Sequence, residues 1–210
     1  DGISVTVKRV KDGLVSNHIN NNIRSGSEVE VMVPDGRFTP KINEENKKAY
    51  YLFGAGSGIT PLMSILKTVL EQEPMSYVYL LYGNRNEDCI IFNSELDALS
   101  KKYDGQFVVE YTLSQPKKVK SGFFSRAKVT WEGKVGRIDS NSVATFLEEN
   151  KSIHKDAEYF VCGPGGMIDS VENFLSEKGI DSKSIHTERF VNASQTAKQE
   201  GGVAGAKLTA

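Results

Sequence analysis

Residues 50–61 read YYLFGAGSGITP, and this stretch decides the fold. The apolar run 50–53 predicts a buried strand, and the glycine-rich run 54–58 predicts a turn. A helix should follow, because Thr60 suits the N-cap and Pro61 suits the first helical position. The sequence therefore predicts a strand, a glycine-rich turn and a helix in direct succession.

This turn is a candidate phosphate-binding site. Glycines permit positive φ angles and close approach of a ligand, and a helix N-terminus offers free N–H groups to a phosphate. The next helix would pack on a sheet through apolar residues at helical spacing, which are Leu62, Ile65, Leu66, Val69 and Leu70. The pattern is not the G-x-G-x-x-G fingerprint, and such turns also occur where nothing binds. A purely structural turn is the alternative.

A second strand and glycine-rich turn lie further along the chain. Residues 158–162 (EYFVC) indicate a buried strand, and the turn 163–166 (GPGG) leads into a helix. The apolar face of that helix comprises Met167, Ile168, Val171, Phe174 and Leu175. A third strand at 184–187 runs into residues 188–190 (ERF). Both turns follow predicted parallel strands at their carboxyl ends, where open α/β sheets bind ligands.

Strands and helices alternate from residue 48 onward, which predicts an α/β fold with a five-stranded, parallel, doubly wound sheet. The predicted strands lie near 50–54, 77–82, 106–112, 158–162 and 184–188, and the predicted helices lie near 61–72, 93–103, 140–149 and 164–178. Residues 1–46 have another pattern. A strand at 3–9, a short helix from Ser16 to about Ile23 and a strand at 28–33 predict part of an antiparallel β-barrel.

Composition limits the possible functions. The chain has 210 residues, and with 39% of them hydrophobic it can bury a core. It has no apolar run of 18 residues, no signal-peptide pattern and only two cysteines. We therefore expect a cytoplasmic protein with no membrane span. The net charge of −1 gives no general attraction to nucleic acid, so no nucleic-acid partner is expected.

Each chemically reactive side chain allows a purely structural interpretation as well as a functional one. No metal site is predicted, because three histidines lack ligand spacing: His18, His154 and His186. Cys162 could be a thiol nucleophile, but the sequence places no histidine as its base, and a buried packing role is the alternative. Cys89 is predicted to be a packing residue. Glu188 and Phe190 could be only a solvated charge and a core aromatic.

The insert at 115–137 departs from the regular alternation. It has one acid, Glu132, against seven basic residues, which are Lys117, Lys118, Lys120, Arg126, Lys128, Lys134 and Arg137. Three aromatic residues lie among them: Phe123, Phe124 and Trp131. Such a segment could bind nucleic acid, or it could steer an acidic protein or a CoA-bearing complex. The alternative is a solvated loop whose aromatics pack on the sheet.

Four separated motifs resemble the ferredoxin-NADP reductase superfamily. They are GSGITP at 56–61, CGPGGM at 162–167, ERF at 188–190 and the G-x-x-S motif at 13–16. Segments 82–85, 90–96 and 114–116 are most similar to the oxygenase reductases of the phenylacetyl-CoA epoxidase type. This resemblance implies that electrons pass from NADPH through FAD to a [2Fe-2S] centre and on to a multi-subunit oxygenase.

The resemblance also implies roles for individual residues. The FAD pyrophosphate would be held by Gly13, Leu14, Val15 and Ser16. The nicotinamide coenzyme would be held by Gly56, Ser57, Gly58, Ile59, Thr60, Pro61, Gly163, Pro164 and Met167. Cys162 and Glu188 would border the nicotinamide ring, and Phe190 would lie on the flavin. Arg85 would favour NADPH through its 2′-phosphate, although Gln115 stands where many NADP-specific members have arginine, so NADH stays possible.

The implied organisation has three parts. Residues 1–46 would belong to the FAD-binding barrel, 47–191 to the NAD(P)-binding domain, and 192–210 to a linker that leads to a ferredoxin domain. Earlier barrel strands with an R-x-Y-S motif are expected before residue 1, and the four [2Fe-2S] cysteine ligands are expected only beyond residue 210. Two alternatives remain, a nucleotide-sensing module without catalysis and a module that docks on an oxygenase.

Overall fold

The computed structural model of the chain describes residues 3–33, 35–119 and 128–190. Its main strands are β1 (Ala49–Ala55), β2 (Tyr77–Asn84), β3 (Phe107–Leu113), β6 (Lys134–Val135), β7 (Ala157–Cys162) and β8 (Ile185–Glu188). They form one parallel sheet with the order β6-β3-β2-β1-β7-β8. A small antiparallel pair consists of β4 (Lys118–Val119) and β5 (Lys128–Val129).

Helices cover both faces of the parallel sheet. These helices are α2 (Ile59–Gln72), α3 (Asn93–Lys102), α4 (Ser140–Glu149) and α5 (Gly165–Glu177), whereas α1 (Leu14–Asn22) buries none of its residues. Apolar side chains of α2 and α3 form the core on one face, and those of α4 and α5 form the core on the other face. β1 lies between the two cores, which explains its continuous apolar sequence.

The α/β fold and the parallel sheet are confirmed, and the sheet has six strands where five were predicted. The sixth strand, β6, pairs with only Thr112 and Leu113 of β3. Two residues with the sequence Lys-Val are too short to show a periodic pattern, so no sequence signal indicates this strand. The apolar faces predicted for α2 and α5 are both buried.

The barrel strands predicted at 3–9 and 28–33 are wrong for this structure, because neither segment forms a strand. Ile3 and Val5 are 80% and 81% exposed, so the alternating side chains have no core to pack on. A strand is stable only when a neighbour completes its hydrogen bonds, and the described residues offer these segments no such neighbour. The short helix is present as α1 and begins two residues earlier than predicted.

The start of α2 also differs from the prediction. Residues Gly56–Gly58 form a turn of 3-10 helix, and α2 begins at Ile59 with Gly58 as its N-cap. The Thr60 hydroxyl donates to the carbonyl oxygen of Ser57 at 3.0 Å and does not cap the helix. Gly58 already has helical angles (φ −63°, ψ −11°), so the helical path starts before Thr60.

A buried carboxylate attaches residues 43–46 to the sheet domain. Glu73 is fully buried at the end of α2. It accepts hydrogen bonds from the Asn43 N–H at 3.1 Å, the Asn46 side-chain amide at 2.7 Å and the Ser76 hydroxyl at 2.8 Å. These donors replace the water that the carboxylate loses on burial.

Candidate dinucleotide site

The two glycine-rich turns meet where the chain direction across the sheet reverses. From β1 the chain proceeds through β2 and β3 on one side and returns through β7 and β8 on the other. Gly54 of β1 pairs with Cys162 of β7, and Cys162 pairs with Glu188 of β8. The crevice at the carboxyl ends of such strands is the usual ligand site of open α/β sheets.

The glycines of the first turn serve different purposes. A Cβ on Gly58 would lie 2.1 Å from the carbonyl oxygen of Cys162, so Gly58 allows the two turns to touch. Gly56 has a left-handed φ of +55°, and the nearest group to its Cβ position is the Lys8 ammonium at 4.0 Å. Gly56 is therefore open on the side where Lys8 lies, whereas Gly58 is closed by protein.

The second turn packs against the first. A Cβ on Gly163 would lie 3.2 Å from the Ala55 nitrogen and 2.8 Å from the Met167 methyl carbon. Pro164 is the N-cap of α5, and its carbonyl oxygen accepts from the Met167 N–H at 2.9 Å. The structure therefore brings both predicted turns into direct contact.

Cys162 is a buried, protonated thiol. It is fully buried and belongs to the apolar core on the α2 face. Burial and the nearby Glu188 carboxylate raise the pKa of the Cys162 thiol to about 12. A reactive cysteine requires a thiolate, so the environment of Cys162 argues against the nucleophile hypothesis.

An open cleft of about 840 Å³ lies beside this row of strand ends. Its walls come from residues 4–6, from one side of α2, from the start of α3, and from the end of β8 with the segment that follows it. The lining residues are Ser4, Val5, Thr6, Thr60, Pro61, Met63, Ser64, Lys67, Thr68, Glu71, Phe92, Glu95, Glu188 and Phe190. Of the residues predicted from the sequence, the cleft thus gathers Thr60, Pro61, Glu188 and Phe190.

The segment that carries Glu188 and Phe190 is fixed by ion pairs. Arg189 donates to Asp169 at 2.7 Å and to Glu172 at 2.8 Å, and both acids lie on α5. The Phe190 side chain is 46% exposed at the cleft. An aromatic ring that borders a cleft in this way can cover a planar ligand.

Gly13 to Ser16 do not line the cleft. Gly13 is the N-cap of α1, and the Ser16 hydroxyl accepts from the Val10 N–H at 3.2 Å. Leu14 and Val15 project into solvent with exposures of 77% and 68%. The residues of the predicted flavin motif therefore form the N-cap and first turn of α1, and none of them lines the cleft.

Arg85 lies at the neighbouring strand ends of β2 and β3. Its Nε donates to the Gln115 side-chain oxygen at 3.0 Å, and the Gln115 N–H donates to the Arg85 carbonyl oxygen at 2.7 Å. The Ser114 N–H donates to the Asn84 carbonyl oxygen at 3.0 Å. The structure thus joins Arg85 to the Ser114-Gln115 pair but places neither in the cleft wall.

The described part of the basic insert favours the solvated-loop interpretation. Lys117 pairs with Asp88 at 2.6 Å, and Lys134 contacts Glu110 and Glu149 at 2.6 and 2.5 Å. The Trp131 indole donates to the Lys134 carbonyl oxygen at 2.9 Å. Lys120, Phe123, Phe124 and Arg126 lie outside the described residues, as does the predicted linker 192–210.

Cys89 is exposed, so its predicted packing role is wrong.

Sequence reasoning missed two residues beside the first turn. Lys8 is close to Gly56, and the Tyr82 hydroxyl donates to the Gly56 carbonyl oxygen at 2.9 Å. Tyr82 pairs with Gly54 in the sheet, so alignment of the strand ends could have identified it. No sequence signal pointed to Lys8, because its position depends on how residues 4–8 pass over the sheet domain.

Among the described residues, no helix is long and apolar enough to cross a membrane. Across the same three segments, no group of three or more His, Cys, Asp or Glu side chains is arranged to hold a metal ion.

Together, the doubly wound sheet and the paired glycine turns at its switch point define a dinucleotide-binding fold. The profile of the "Oxidoreductase NAD-binding domain" family matches residues 52–173. Because that match covers more than half of the chain, the chain belongs to this family, the NAD-binding domain of the ferredoxin-NADP reductase superfamily.

Individual relatives agree with this assignment. Over 188 residues the chain is 34% identical to a component of the 1,2-phenylacetyl-CoA epoxidase of Escherichia coli (strain K12), and the match covers 90% of this chain and 50% of that protein. It is 37% identical over 190 residues to the ferredoxin reductase component of 3-ketosteroid-9-alpha-monooxygenase of Rhodococcus rhodochrous, with 90% of this chain and 47% of that protein covered. The chain therefore spans about half of each relative.

A solved structure shows the same fold. The Flavohem-like-FAD/NAD binding domain of nitric oxide dioxygenase from Vibrio cholerae O1 biovar El Tor superposes with a TM-score of 0.65 at 25% identity. The match covers 85% of this chain and 65% of that one.

Proposed function

We propose that this chain is the dinucleotide-binding part of a flavin-dependent NAD(P)H reductase that supplies electrons to an oxygenase. The observation that carries the proposal is the contact between the two glycine turns at the switch point, with Glu188 and Phe190 on the adjacent cleft. The named relatives, which are components of oxygenase systems, support the same conclusion.

The residues present fit a nicotinamide dinucleotide. The turn at 56–61 offers a helix N-terminus with an open left-handed glycine and a nearby cation, Lys8, which suits a pyrophosphate. Glu188 lines the cleft and pairs with Cys162 on the next strand, and a nicotinamide ring would contact the Cys162 thiol only after displacing the groups that now bury it. When bound, the coenzyme and the flavin carry the redox chemistry, while these side chains orient the ring and exclude water.

The described residues provide only a small part of a flavin site. The start of α1 at Gly13 to Ser16 offers a helix N-terminus to the FAD pyrophosphate, and the exposed Phe190 ring could cover the flavin. The proposal therefore places the remaining FAD contacts in barrel strands before residue 1. It also places a [2Fe-2S] ferredoxin domain beyond the segment 192–210.

The test uses the full-length reductase with Cys162→Ala, and Cys89→Ala as the matched control at the exposed cysteine. Cys162→Ala should slow single-turnover reduction of the flavin by NADPH by about tenfold or more, with dinucleotide affinity nearly unchanged. Cys89→Ala should match the wild type. A Cys162→Ala enzyme that reduces its flavin at the wild-type rate would refute the assignment. A wild-type protein that binds nucleotide but holds no flavin and reduces no dye would instead support a sensor.

We propose NADPH as the coenzyme, with NADH as the alternative. The Arg85 guanidinium is exposed and could hold a 2′-phosphate, although its bond to Gln115 would have to be shared or exchanged. One such charge-assisted bond contributes about 1.5–3 kcal/mol, so Arg85→Ala should raise the KM for NADPH about tenfold or more and leave NADH nearly unaffected. Equal losses with both coenzymes would show that Arg85 does not read the 2′-phosphate.

A further inference from the structure

Tyr82 joins the first glycine turn to the segment that follows β2. Its side chain is fully buried on the α2 face of the sheet. The Tyr82 hydroxyl donates to the carbonyl oxygen of Gly56 at 2.9 Å, and the Ile91 N–H donates to the same hydroxyl at 3.4 Å. One side chain therefore holds two loops at the carboxyl edge of the sheet.

The Tyr82 bond fixes the peptide that begins the turn. Gly56 has the left-handed φ of +55°, and its carbonyl oxygen also accepts from the Ile59 N–H. In a planar trans peptide the N–H points opposite to the carbonyl. With the Gly56 carbonyl oxygen directed at Tyr82, the Ser57 N–H of the same peptide is directed away from Tyr82.

The surroundings keep the Tyr82 hydroxyl available as a donor. Burial raises the pKa of Tyr82 to about 12, so the phenol stays protonated at any ordinary pH. Among the described residues, the side chain that donates to the Gly56 carbonyl oxygen is that of Tyr82.

We propose that Tyr82 is a positioning residue for dinucleotide binding, holding the Gly56 peptide so that the N–H donors of the turn face the pyrophosphate of the coenzyme. This inference rests on the proposed function for the identity of the ligand. The hydrogen bond from the Tyr82 hydroxyl to the turn does not depend on the proposed function.

The test compares Tyr82→Phe with the matched control Tyr111→Phe. Tyr111 is the sheet neighbour of Tyr82, and its hydroxyl reaches Asp97 at 3.3 Å and not the turn. Without nucleotide, Tyr82→Phe should speed amide hydrogen exchange of the peptide 54–60 about tenfold and leave the β3 peptide 107–113 unchanged. In calorimetry with the full-length protein, it should also weaken NADP⁺ binding about tenfold. Tyr111→Phe should change neither quantity.

Each outcome decides one part of the inference. Unchanged exchange at 54–60 would show that Tyr82 does not hold the turn. Equal acceleration at 54–60 and 107–113 would mean general loosening and would also overturn the proposal. Faster exchange at the turn with unchanged NADP⁺ and NAD⁺ affinity would remove the role in binding. If the wild type binds neither dinucleotide, the proposed function fails, while the exchange result still decides whether Tyr82 holds the turn.

Discussion

Two regions of the chain have strand-like sequences, and only one of them forms strands. In β1 the residues Tyr50, Leu52 and Phe53 are fully buried between two layers of helices and two neighbouring strands. In the segment 3–9 apolar and polar side chains alternate, which is the pattern of a half-buried strand, but Ile3 is 80% exposed and no strand is present. The difference is the presence of hydrogen-bonding neighbours on both sides of β1.

An alternating pattern therefore specifies which face of a strand is apolar, but it does not supply the partner strand. A lone β segment leaves its backbone groups to water and its apolar face unburied, so it is not stable by itself. Residues 38–46 connect the two regions. Phe38 packs edge-on against Phe160 at 5.4 Å between ring centroids, and Glu73 binds residues 43 and 46.

The largest expected difference between the regions is in amide hydrogen exchange of the 210-residue chain. Amides of β1 should exchange at least about 10³-fold more slowly than those of residues 3–9, because β1 opens only with much of the domain. Mass spectrometry of peptides from the two regions measures this ratio. Slow exchange at residues 3–9 would instead show that this segment is paired.

The next largest difference should be in how much the loss of an apolar side chain lowers the free energy of unfolding. Phe160 is fully buried, and its ring stacks on His186 at 4.4 Å between centroids, so Phe160→Ala should lower the free energy of unfolding by about 3–5 kcal/mol. Val31 is 80% exposed, and Val31→Ala should change it by less than about 0.5 kcal/mol. Urea denaturation of both variants tests the pair. A cost for Val31→Ala near that of Phe160→Ala would indicate a second core around residues 28–33.

A substitution at the contact between the two turns should lower the free energy of unfolding by nearly as much. Gly58→Ala places a methyl group 2.1 Å from the Cys162 carbonyl oxygen and should cost about 2–3 kcal/mol, because backbone must shift. Gly166→Ala is the matched control, since nothing lies within 4 Å of its Cβ position at the start of α5. That change should be neutral or stabilise by up to about 1 kcal/mol. Similar losses for both variants in urea denaturation would contradict the close approach of the turns.

The smallest expected effect concerns the connection between the regions. Glu73→Gln keeps the shape of the side chain but weakens three hydrogen bonds to the buried carboxylate, and should cost about 1–2 kcal/mol. Glu71→Gln, at an exposed position near the end of α2, should change stability by less than about 0.5 kcal/mol. Thermal unfolding of the two variants provides the measurement. Equal melting temperatures would mean that residues 43–46 are held by other contacts.

Much of the candidate site could be predicted because its signals are local. The two glycine turns stand between buried strands and amphipathic helices as predicted, although β1 extends to Ala55 and α5 already begins at Gly165. The position of Glu188 beside Cys162 follows from β7 and β8 being parallel neighbours. The roles of Tyr82 and Lys8 could not be predicted, because each depends on a contact between segments far apart in the sequence.

The sequence alone determined the α/β class, the apolar faces of α2 and α5, and the two turns, because hydrophobic periodicity and glycine content act over a few residues. Tertiary structure decided that residues 3–9 stay unpaired, that Lys134–Val135 extends the sheet, and that the Cys162 carbonyl oxygen occupies the space where a Cβ of residue 58 would lie. These features depend on which distant segments meet and in which register, and no local pattern encodes that choice.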